Sequence, residues 1–353
     1  MNFKQFDSII DVRSPAEYAE DHIPGAISAP VLDDAERAQV GTLYKQVSAF
    51  DAKKLGAALL AKNFARHVET LFKDKQQSWH PLVYCWRGGK RSGAAAHILR
   101  EIGWHADTLE GGYKAYRRWV VQQLEEIPQQ LEWRVIHGPT GSGKSRFLAA
   151  LQAAGAQVLD LEDLAAHRGS VLGNLPGRPQ PSQKMFESLL LQKISELQPE
   201  NPVFVEGESK KIGQLQVPEA LMDRMRASPC VRLETSLEVR VSLLLDEYRH
   251  FLTDRNSLET QLDCLVALHG RERIAEWKAL AARGAWREFV ARLLLEHYDP
   301  AYRRSSHRNF PQLADAGKVP ISGADDAAFM RAAQALLVVV LPTAIPAASS
   351  IDS

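Results

Sequence analysis

The sequence predicts an α/β protein of two domains, each built on a mostly parallel sheet. Its 353 residues exceed what one core of ordinary size holds, so two domains are expected. Short apolar segments alternate with helical stretches along both halves, which is typical of parallel sheets covered by helices. Two apolar segments, ending at Tyr84 and His137, lead directly into glycine-containing loops that precede helices.

The first domain, residues 1–127, opens with a helix start signal in which Ser14 and Glu17 form a capping box around Pro15. Its strands are predicted at 8–12 and 82–84, with a last strand and turn at 108–113. Its helices are predicted at 52–73, 91–102 and 114–126.

The second domain, residues 128–343, follows a linker at 127–130, and a flexible tail is predicted at 344–353. Its strands are predicted at 133–137, 157–161, 202–206, 231–234 and 318–321. Pro320 confines the last of these strands to a sheet edge. Its helices are predicted at 144–154, 182–197, 237–251, 258–268 and 271–297. The helical block from 237 to 297 is more than a minimal nucleotide-binding domain needs.

Charge and cysteine content restrict the classes of function. The formal net charge is zero, so RNA binding would require a local basic patch. Three cysteines are too few and too scattered for a disulfide framework or a zinc site, and they fit a reducing cytoplasm. Cys230 and Cys264 lie in apolar patterns and are interpreted as packing residues. The apolar run 335–341 is far shorter than the roughly 20 residues that span a bilayer, so no membrane contact is expected, and the run is interpreted as the buried end of a last helix.

Cys85 begins the first loop, which reads Cys-Trp-Arg-Gly-Gly-Lys-Arg-Ser at 85–92. Backbone N–H groups at a helix start stabilise a thiolate, and Arg87, Lys90 and Arg91 add positive charge. Both effects lower the pKa of the thiol below its ordinary value of about 8.5. Cys85 is therefore the candidate nucleophile.

Three segments of the first domain resemble the rhodanese family: residues 11–18, residues 22–26 and the Cys85 loop. The resemblance covers about residues 1–120 and implies that Cys85 carries sulfur or selenium. Common rhodanese loops place an arginine five residues after the cysteine, whereas Lys90 holds that place here and Arg91 follows it. This longer spacing is also the phosphatase signature of related folds, and it leaves room for a tetrahedral anion such as phosphate or selenophosphate.

The second loop satisfies the phosphate-binding pattern Gly-x4-Gly-Lys-Ser between a strand and a helix. Lys144 supplies positive charge to a bound diphosphate, and Ser145 can hold Mg²⁺. Glu206 stands where an aspartate usually holds the metal, which weakens nucleotide hydrolysis as a hypothesis, although glutamate can bind Mg²⁺ through water. Asp160 is either a second carboxylate of this site or an ordinary strand-end residue. The predicted diphosphate-binding residues are Gly138, Gly141, Ser142, Gly143, Lys144 and Ser145.

Basic residues of the second domain are candidates for RNA contact. A tyrosine at 302 beside two arginines suits a phosphate backbone and a stacked base. Charged clusters are also a usual feature of solvated surface, so both interpretations stay open. The candidates are Arg168, Arg178, Lys184, Lys210, Lys211, Arg303 and Arg304.

The order of the two domains resembles the tRNA 2-selenouridine synthase family, and segments at 41–45, 180–187 and 297–302 reinforce the resemblance. It implies that 2-thiouridine at the wobble position of tRNAs for lysine, glutamate and glutamine exchanges sulfur for selenium. The implied route uses selenophosphate and geranyl diphosphate, passes through S-geranyl-2-thiouridine and needs no covalently bound cofactor. Cys85 would carry selenium, with Arg87 and Arg91 holding the donor's phosphate. The helical block at 237–297 could provide an apolar groove for the prenyl chain.

Three other functions remain open at this level. A phosphatase would use Cys85 on a phosphomonoester and would be blocked by vanadate. A binding module for RNA or nucleotide would tolerate a blocked thiol at Cys85. A small-molecule kinase fused to a sulfurtransferase would consume ATP.

Overall fold

A computed structural model describes residues 1–169, 177–248 and 255–340, together with Gly173 and Leu175. The predicted tail at 344–353 lies outside these residues. The chain forms two compact units, the first from Met1–Glu126 with Pro181–Gln192 and the second from Ile127–Gln180 with Lys193–Ser353. The sequence analysis assigned the segment at 181–192 to the second domain, whereas here it belongs to the first unit.

The first unit contains a four-stranded parallel sheet with the strand order β2-β1-β3-β4. Its strands are β1 Ser8–Asp11, β2 Ile27–Ser28, β3 Pro81–Tyr84 and β4 Asp107–Thr108. Its helices are α1 Pro15–Glu20, α2 Asp34–Gln46, α3 Ala49–Thr70, α4 Lys90–Ile102 and α5 Gly112–Glu126. Apolar side chains of β1, β3, α3 and α4, including Ile10, Phe64, Val83 and Leu99, form one buried core.

Helix α2 was not among the helices predicted from the sequence. It begins at a capping box in which Asp33 accepts a hydrogen bond from the N–H of Glu36 at 2.7 Å. The helix has no fully buried residue, so its apolar pattern is weak. The capping signal at Asp33 was present in the sequence and could have identified the helix start.

Arg13 is the centre of a buried polar network next to the loop at 85–92, called the thiol loop below, and only 1 % of the Arg13 surface is exposed. Its Nη2 lies 2.6 Å from an oxygen of Asp11 and 2.5 Å from the carbonyl oxygen of Asp21. The guanidinium carbon lies 3.9 Å from the centre of the Tyr113 ring. Removing one partner of this buried ion pair would leave the other charge uncompensated and would destabilise the local structure.

The same network fixes the segments on both sides of Cys85. Tyr84, which precedes it, donates its hydroxyl to Asp11 at 2.7 Å. Tyr113 donates its backbone N–H to the carbonyl oxygen of Cys85 at 2.9 Å and its hydroxyl to Asp21 at 2.8 Å. The position of the cysteine backbone is therefore set by buried hydrogen bonds rather than by the loop alone.

The segment Pro181–Gln192 contacts the first unit through polar side chains. Ser188 donates its hydroxyl to Asp21 at 2.8 Å, and Lys184 forms an ion pair with Glu20 at 2.6 Å. Lys184 was predicted to contact RNA, but its ammonium is engaged in this ion pair. The contact joins the segment to the same aspartate that supports Arg13 and Tyr113.

The second unit contains a five-stranded parallel sheet with the strand order β11-β10-β5-β7-β6 and a short antiparallel hairpin, β8-β9. Its strands are β5 Trp133–His137, β6 Gln157–Leu159, β7 Val203–Glu206, β8 Lys211–Ile212, β9 Leu215–Gln216, β10 Cys230–Thr235 and β11 Gly317–Ile321. Pro320 lies on β11 at the sheet edge, as predicted. The buried core around this sheet includes Phe147, Phe204 and Phe329.

The second unit also contains a large helical part. Its helices are α6 Lys144–Ala153, α7 Leu161–Leu164, α9 Glu219–Ala227, α10 Leu237–Glu247, α11 Arg255–Asp263, α12 Val266–Ala282, α13 Trp286–Leu293, α14 Asp299–Asn309 and α15 Asp326–Val340, with a π-helical turn at Leu294–Tyr298. Helix α8 Gln183–Ile194 instead lies almost entirely in the Pro181–Gln192 segment of the first unit.

Three expectations about this part were wrong. The helix predicted at 271–297 is interrupted after α12, where Gly284 has a φ of 75° that ends the helix. Cys264 is exposed rather than packed. The end of α15 is not buried throughout, since Val338 and Val339 are 78 % and 79 % exposed.

Candidate functional site

The thiol loop connects the carboxyl end of β3 to the start of α4, so Cys85 faces a helix N-terminus. Two glycines allow the surrounding chain to approach the loop. A Cβ on Gly88 would lie 2.4 Å from the carbonyl oxygen of Leu109, and one on Gly112 would lie 2.3 Å from the carbonyl oxygen of Cys85. Both glycines also have positive φ. The loop conformation therefore requires glycine at both positions.

The Cys85 side chain is 4 % exposed and lies 3.3 Å from the hydroxyl of Ser92. Burial by itself raises the pKa of Cys85, but hydrogen bonds from Ser92 and Gly89 and the charge of Arg91 bring the pKa below its ordinary value. The loop therefore stabilises the thiolate, the nucleophilic form, more than water does. Cys230 contrasts with it, since burial raises the pKa of that thiol to about 11.

The two predicted catalytic arginines differ in environment. Arg91 donates Nη1 to Glu17 Oε2 at 3.0 Å, and Arg37 lies 3.9 Å from the same oxygen. Burial raises the pKa of Glu17, but Arg91 lowers it below the ordinary value, so the carboxylate stays charged and holds Arg91 beside the loop. Arg87 is exposed and can turn toward a bound anion. The sequence identified Glu17 only as part of a capping box.

Ser92→Ala should raise the pKa of Cys85, because the hydroxyl that stabilises the thiolate is removed. We expect the thiolate fraction at neutral pH to fall. The ultraviolet absorbance of the thiolate, titrated in Ser92→Ala and in wild type, each against a matching Cys85→Ala background, measures this change. An unchanged difference titration would show that Ser92 does not tune the thiol.

The phosphate loop lies between β5 and α6 and contains two glycines with positive φ, 76° at Gly141 and 83° at Gly143. A Cβ on Gly143 would lie 2.4 Å from Phe329 Cζ, and one on Gly141 would lie 2.8 Å from Leu244 Cδ1. The remaining predicted residues of the loop are contiguous with them. Gly138 follows β5, Ser142 is buried, and Ser145 is in the first turn of α6.

Arg240 supports the phosphate loop from α10 and was not recognised in the sequence. It is buried, and it donates Nε and Nη2 to the carbonyl oxygen of Thr140 at 2.9 and 2.8 Å. Asp299 accepts two hydrogen bonds from the same guanidinium at 3.1 and 2.6 Å. A lone arginine between Val239 and Val241 is the signal that could have indicated a buried ion pair.

His137 ends β5 beneath the loop and is 1 % exposed. Burial, with the nearby charge of Lys144, lowers the pKa of His137 to about 3, so the ring is neutral. A Cβ on Gly207 would lie 2.3 Å from its Cε1. The imidazole thus fills the space between the first strand of this unit and the turn after β7.

Lys144 lies among carboxylates, which is the main electrostatic feature of this site. Burial by itself lowers the pKa of Lys144, but Glu208 and Glu162 raise it above the ordinary value. Burial and the charge of Glu208 raise the pKa of Glu162 to about 8, and burial with Asp160 raises the pKa of Glu206 well above its ordinary range. The predicted carboxylates therefore do lie near the loop, and Glu162 and Glu208 join them.

A cavity of about 90 Å³ opens over the loop, lined by residues that include Lys144, Ser145, Glu162 and Arg168. Ser145 donates its hydroxyl to Glu162 at 3.3 Å, and one oxygen of Glu206 accepts the N–H of Glu162 at 2.8 Å. Hydroxyl and carboxylate oxygens suit Mg²⁺. Within the described residues no three His, Cys, Asp or Glu side chains are arranged to hold a metal by themselves. The donors present therefore fit a magnesium ion that is bound largely by a substrate's phosphates.

Two of the predicted RNA-contacting arginines are in ion pairs. Arg168 lies 3.4 Å from Glu247 and lines the cavity over the phosphate loop. Arg178 donates to Asp163 at 2.6 Å. Both are in the second unit. Contact of Arg168 and Arg178 with RNA stays a prediction.

The other predicted basic residues of the second unit are on its surface. Lys210 forms an ion pair with Glu219. Lys211, Arg303 and Arg304 are exposed. Their ammonium and guanidinium groups are accessible to a polyanion.

Comparison with known proteins follows the same division of the chain. Residues 1–118 match the model of the rhodanese-like domain, and residues 131–319 match the model of the tRNA 2-selenouridine synthase AAA domain. The chain belongs to the tRNA 2-selenouridine synthase family. The predicted fold class is confirmed: a rhodanese-like parallel-sheet domain followed by a P-loop α/β domain with additional helices.

Relatives that carry the tRNA 2-selenouridine synthase name cover most of this chain. The protein of Bdellovibrio bacteriovorus is 39% identical over 269 residues, which are 74% of this chain and 70% of the relative. The protein of Sulfurovum sp. (strain NBC37-1) is 34% identical over 340 residues, 88% of this chain and 91% of the relative. That of Alcanivorax borkumensis is 34% identical over 326 residues, 83% of this chain and 88% of the relative.

The family assignment includes both candidate loops. The Cys85 loop lies within the rhodanese-like match, and the loop at 138–145 lies within the AAA-domain match. None of the helices in the described ranges combines the length and the apolarity that a bilayer span requires.

Proposed function

We propose that this protein is a tRNA 2-selenouridine synthase that replaces the 2-thio sulfur of the wobble uridine with selenium in tRNAs for lysine, glutamate and glutamine. One observation carries the proposal: a chain of this family has a thiolate-stabilising loop at Cys85 and a separate diphosphate loop at Lys144. Each loop suits one phosphate-bearing donor, selenophosphate at the first and geranyl diphosphate at the second.

The phosphate loop would serve the geranylation step. The 2-thio sulfur attacks the first carbon of geranyl diphosphate, a C–S bond forms, and the C–O bond breaks with its electron pair leaving on diphosphate. The N3 proton of the base is released to solvent, so the S-geranyl base is neutral. Lys144 and the loop amides would bind that departing charge, and Arg240 holds the loop through Thr140. The product carries sulfur as a thioether, which leaves C2 far more readily than the original sulfur.

Ser145 and Glu206 are the proposed ligands of a magnesium ion in this step. The ion would neutralise part of the charge on the departing diphosphate. Glu162 and Glu206 have raised pKa values, so they bind protons readily when no cation is present. Ser145 and the nearby Glu162 would orient the diphosphate whether or not a magnesium ion is bound.

The thiol loop would serve the selenation step. Cys85 is the proposed selenium carrier, with Arg87 and Arg91 binding the donor's phosphate. The Cys85 thiolate would attack selenium, an S–Se bond would form, and the Se–P bond would break with its electron pair leaving on phosphorus. The terminal selenium would then attack C2, a C–Se bond would form, and the geranylthio group would depart with the C–S electron pair. A thiol reductant would cleave the S–Se bond by attacking the Cys85 sulfur, leaving selenium on C2, and a second thiol equivalent would reduce the resulting mixed disulfide. A reducing cytoplasm is the proposed location because it keeps Cys85 as a free thiol.

Recognition of RNA is assigned to exposed cations of the second unit. Lys211, Arg303 and Arg304 would contact phosphates of the anticodon stem-loop. The wobble base must leave the anticodon stack to reach either loop, which is easier in a single-stranded loop than in a duplex.

Mass spectrometry of tRNA nucleosides tests the proposal. Thiolated tRNA is incubated with enzyme and geranyl diphosphate, with selenophosphate, or with both. We expect S-geranyl-2-thiouridine in the first reaction, and 2-selenouridine only where both donors are present. Thiolated tRNA that stays unchanged in all three reactions would refute the proposal. Vanadate-sensitive release of phosphate from a phosphomonoester would then support the phosphatase alternative at Cys85.

A further inference from the structure

An apolar groove lies in the first unit beside the thiol loop. It has a volume of about 510 Å³ and opens between α2, α3 and the start of α4. This volume is within the roughly 300–1,000 Å³ of ligand pockets. Its apolar lining includes Leu32, Val40, Leu60 and Ala94. The steps proposed above for the two loops do not use this space.

Two helix glycines leave the groove open without being required by the fold. Gly41 on α2 and Gly56 on α3 both line it, and neither has positive φ. A Cβ on Gly56 would meet Val40 Cγ1 at 3.5 Å, an ordinary contact, and one on Gly41 would approach only the flexible end of Arg37, at 3.0 Å. Alanine would stabilise a helix better than glycine at such positions. What glycine provides here is space.

The rim of the groove is cationic. Lys45, Lys53 and Lys90 line it, together with Arg37 and Arg91. Among the described residues, none of the three lysines forms an ion pair with a carboxylate. A ligand that combines an apolar group with several negative charges would match both parts of the surface.

The groove adjoins the thiol loop directly. Lys90 and Arg91, the first residues of α4, follow the loop without a break and line the groove. Arg91 is held there by Glu17 at 3.0 Å. A ligand in the groove would therefore have one end next to the anion-binding end of the loop at Cys85.

We propose that this groove binds the geranyl chain of S-geranyl-2-thiouridine while C2 of the base faces the thiol loop. The rim lysines Lys45, Lys53 and Lys90 would bind phosphates of the anticodon loop, and the apolar part would hold the geranylthio group that leaves C2. This inference rests on the proposed function. It assigns the prenyl chain of the intermediate to the first domain, whereas the sequence analysis expected a prenyl groove in the helical block at 237–297.

Equilibrium binding to anticodon stem-loop RNAs tests the groove. Two RNAs, identical except for S-geranyl or S-methyl at the 2-thio position, are titrated against full-length Cys85→Ala, which prevents turnover. We expect the S-geranyl RNA to bind on the order of 100-fold more tightly, because several methylene groups become buried. Gly56→Leu fills the groove and should reduce this preference to less than about 5-fold. Ala57→Leu, at an exposed groove position, is a second groove-filling variant, and it leaves the buried core unchanged.

Ala58→Leu is the matched control, since Ala58 is exposed on the same helix but does not line the groove. It should keep the full preference for the S-geranyl RNA. A preference that survives both groove-filling variants would overturn the inference and leave the proposed function standing. Wild-type enzyme that neither makes nor consumes S-geranyl-2-thiouridine would instead refute the proposed function itself.

Discussion

Replacing Cys85 with alanine should abolish formation of 2-selenouridine while S-geranylation of thiolated tRNA continues. The thiol is the proposed nucleophile of the first unit, and its pKa is lowered by Ser92, Gly89 and Arg91 despite burial. No other group in the loop can carry selenium. We expect a loss of at least about 1,000-fold, as is usual when a nucleophile is removed. Nucleoside mass spectrometry of reactions with both donors measures the two products separately.

The matched control is Cys264→Ala, which removes an exposed thiol of the second unit. This variant should form both products at the wild-type rate. Cys85→Ala that still yields selenouridine would disprove the role of Cys85 as selenium carrier. Loss of both products in a folded Cys85→Ala variant would mean that the thiol also acts in geranylation, and the division of labour between the two loops would be wrong.

The two loops could be predicted because their signals are local in sequence. A strand end, glycines at fixed spacing and a helix start are encoded within about ten residues. The strained backbone at Gly141 and Gly143 admits few other residues. The capping box of Ser14 and Glu17 is another local signal, and the structure contains it.

The supports of the loops could not be predicted because they join residues far apart in sequence. Arg240 reaches both Thr140 and Asp299 across the second unit. Glu17 holds Arg91 from 74 residues away. Local sequence patterns cannot identify such ion pairs. Every arginine or lysine is a candidate until the fold shows which carboxylate lies beside it.

The segment Pro181–Gln192 shows the same limit at the level of domains. Its apolar pattern predicts a helix but not the unit against which the helix packs. Ser188, which is 1 % exposed, is the residue that contacts Asp21 of the first unit. A serine in a helix has no sequence signature that distinguishes this role from a solvated one. A domain boundary predicted from the sequence therefore misses a segment that belongs to one unit while its neighbours in sequence belong to the other.

Lys144→Ala should stop geranylation of thiolated tRNA, with a loss of on the order of 100- to 1,000-fold. The ammonium is the cation proposed to bind the diphosphate, and it also lies near Glu162, Glu206 and Glu208, which raise its pKa. Its removal would take away the positive charge proposed to bind the donor's diphosphate. Lys144 lowers the pKa of Glu162, which burial and Glu208 nevertheless raise to about 8, so in Lys144→Ala that carboxyl should hold its proton to still higher pH. Rates of S-geranyl-2-thiouridine formation, measured against geranyl diphosphate concentration, report the loss.

Two further variants accompany Lys144→Ala. The first is a control, and the second tests whether the positive charge at position 144 is enough without the shape of lysine. Lys318→Ala removes an ammonium that pairs with Glu234 at 3.0 Å on the edge strand β11, so it should retain full geranylation. Lys144→Arg keeps the positive charge but places a larger, planar group in a cavity of about 90 Å³. We expect it to recover only part of the activity, mainly through a lower KM than that of Lys144→Ala. Geranylation by Lys144→Ala at the wild-type rate would show that the diphosphate binds elsewhere. Whatever the result for geranylation, every Lys144 variant should still selenate chemically S-geranylated RNA. That step is proposed to need only the thiol loop, and Cys85 and the residues that support it lie in the other unit.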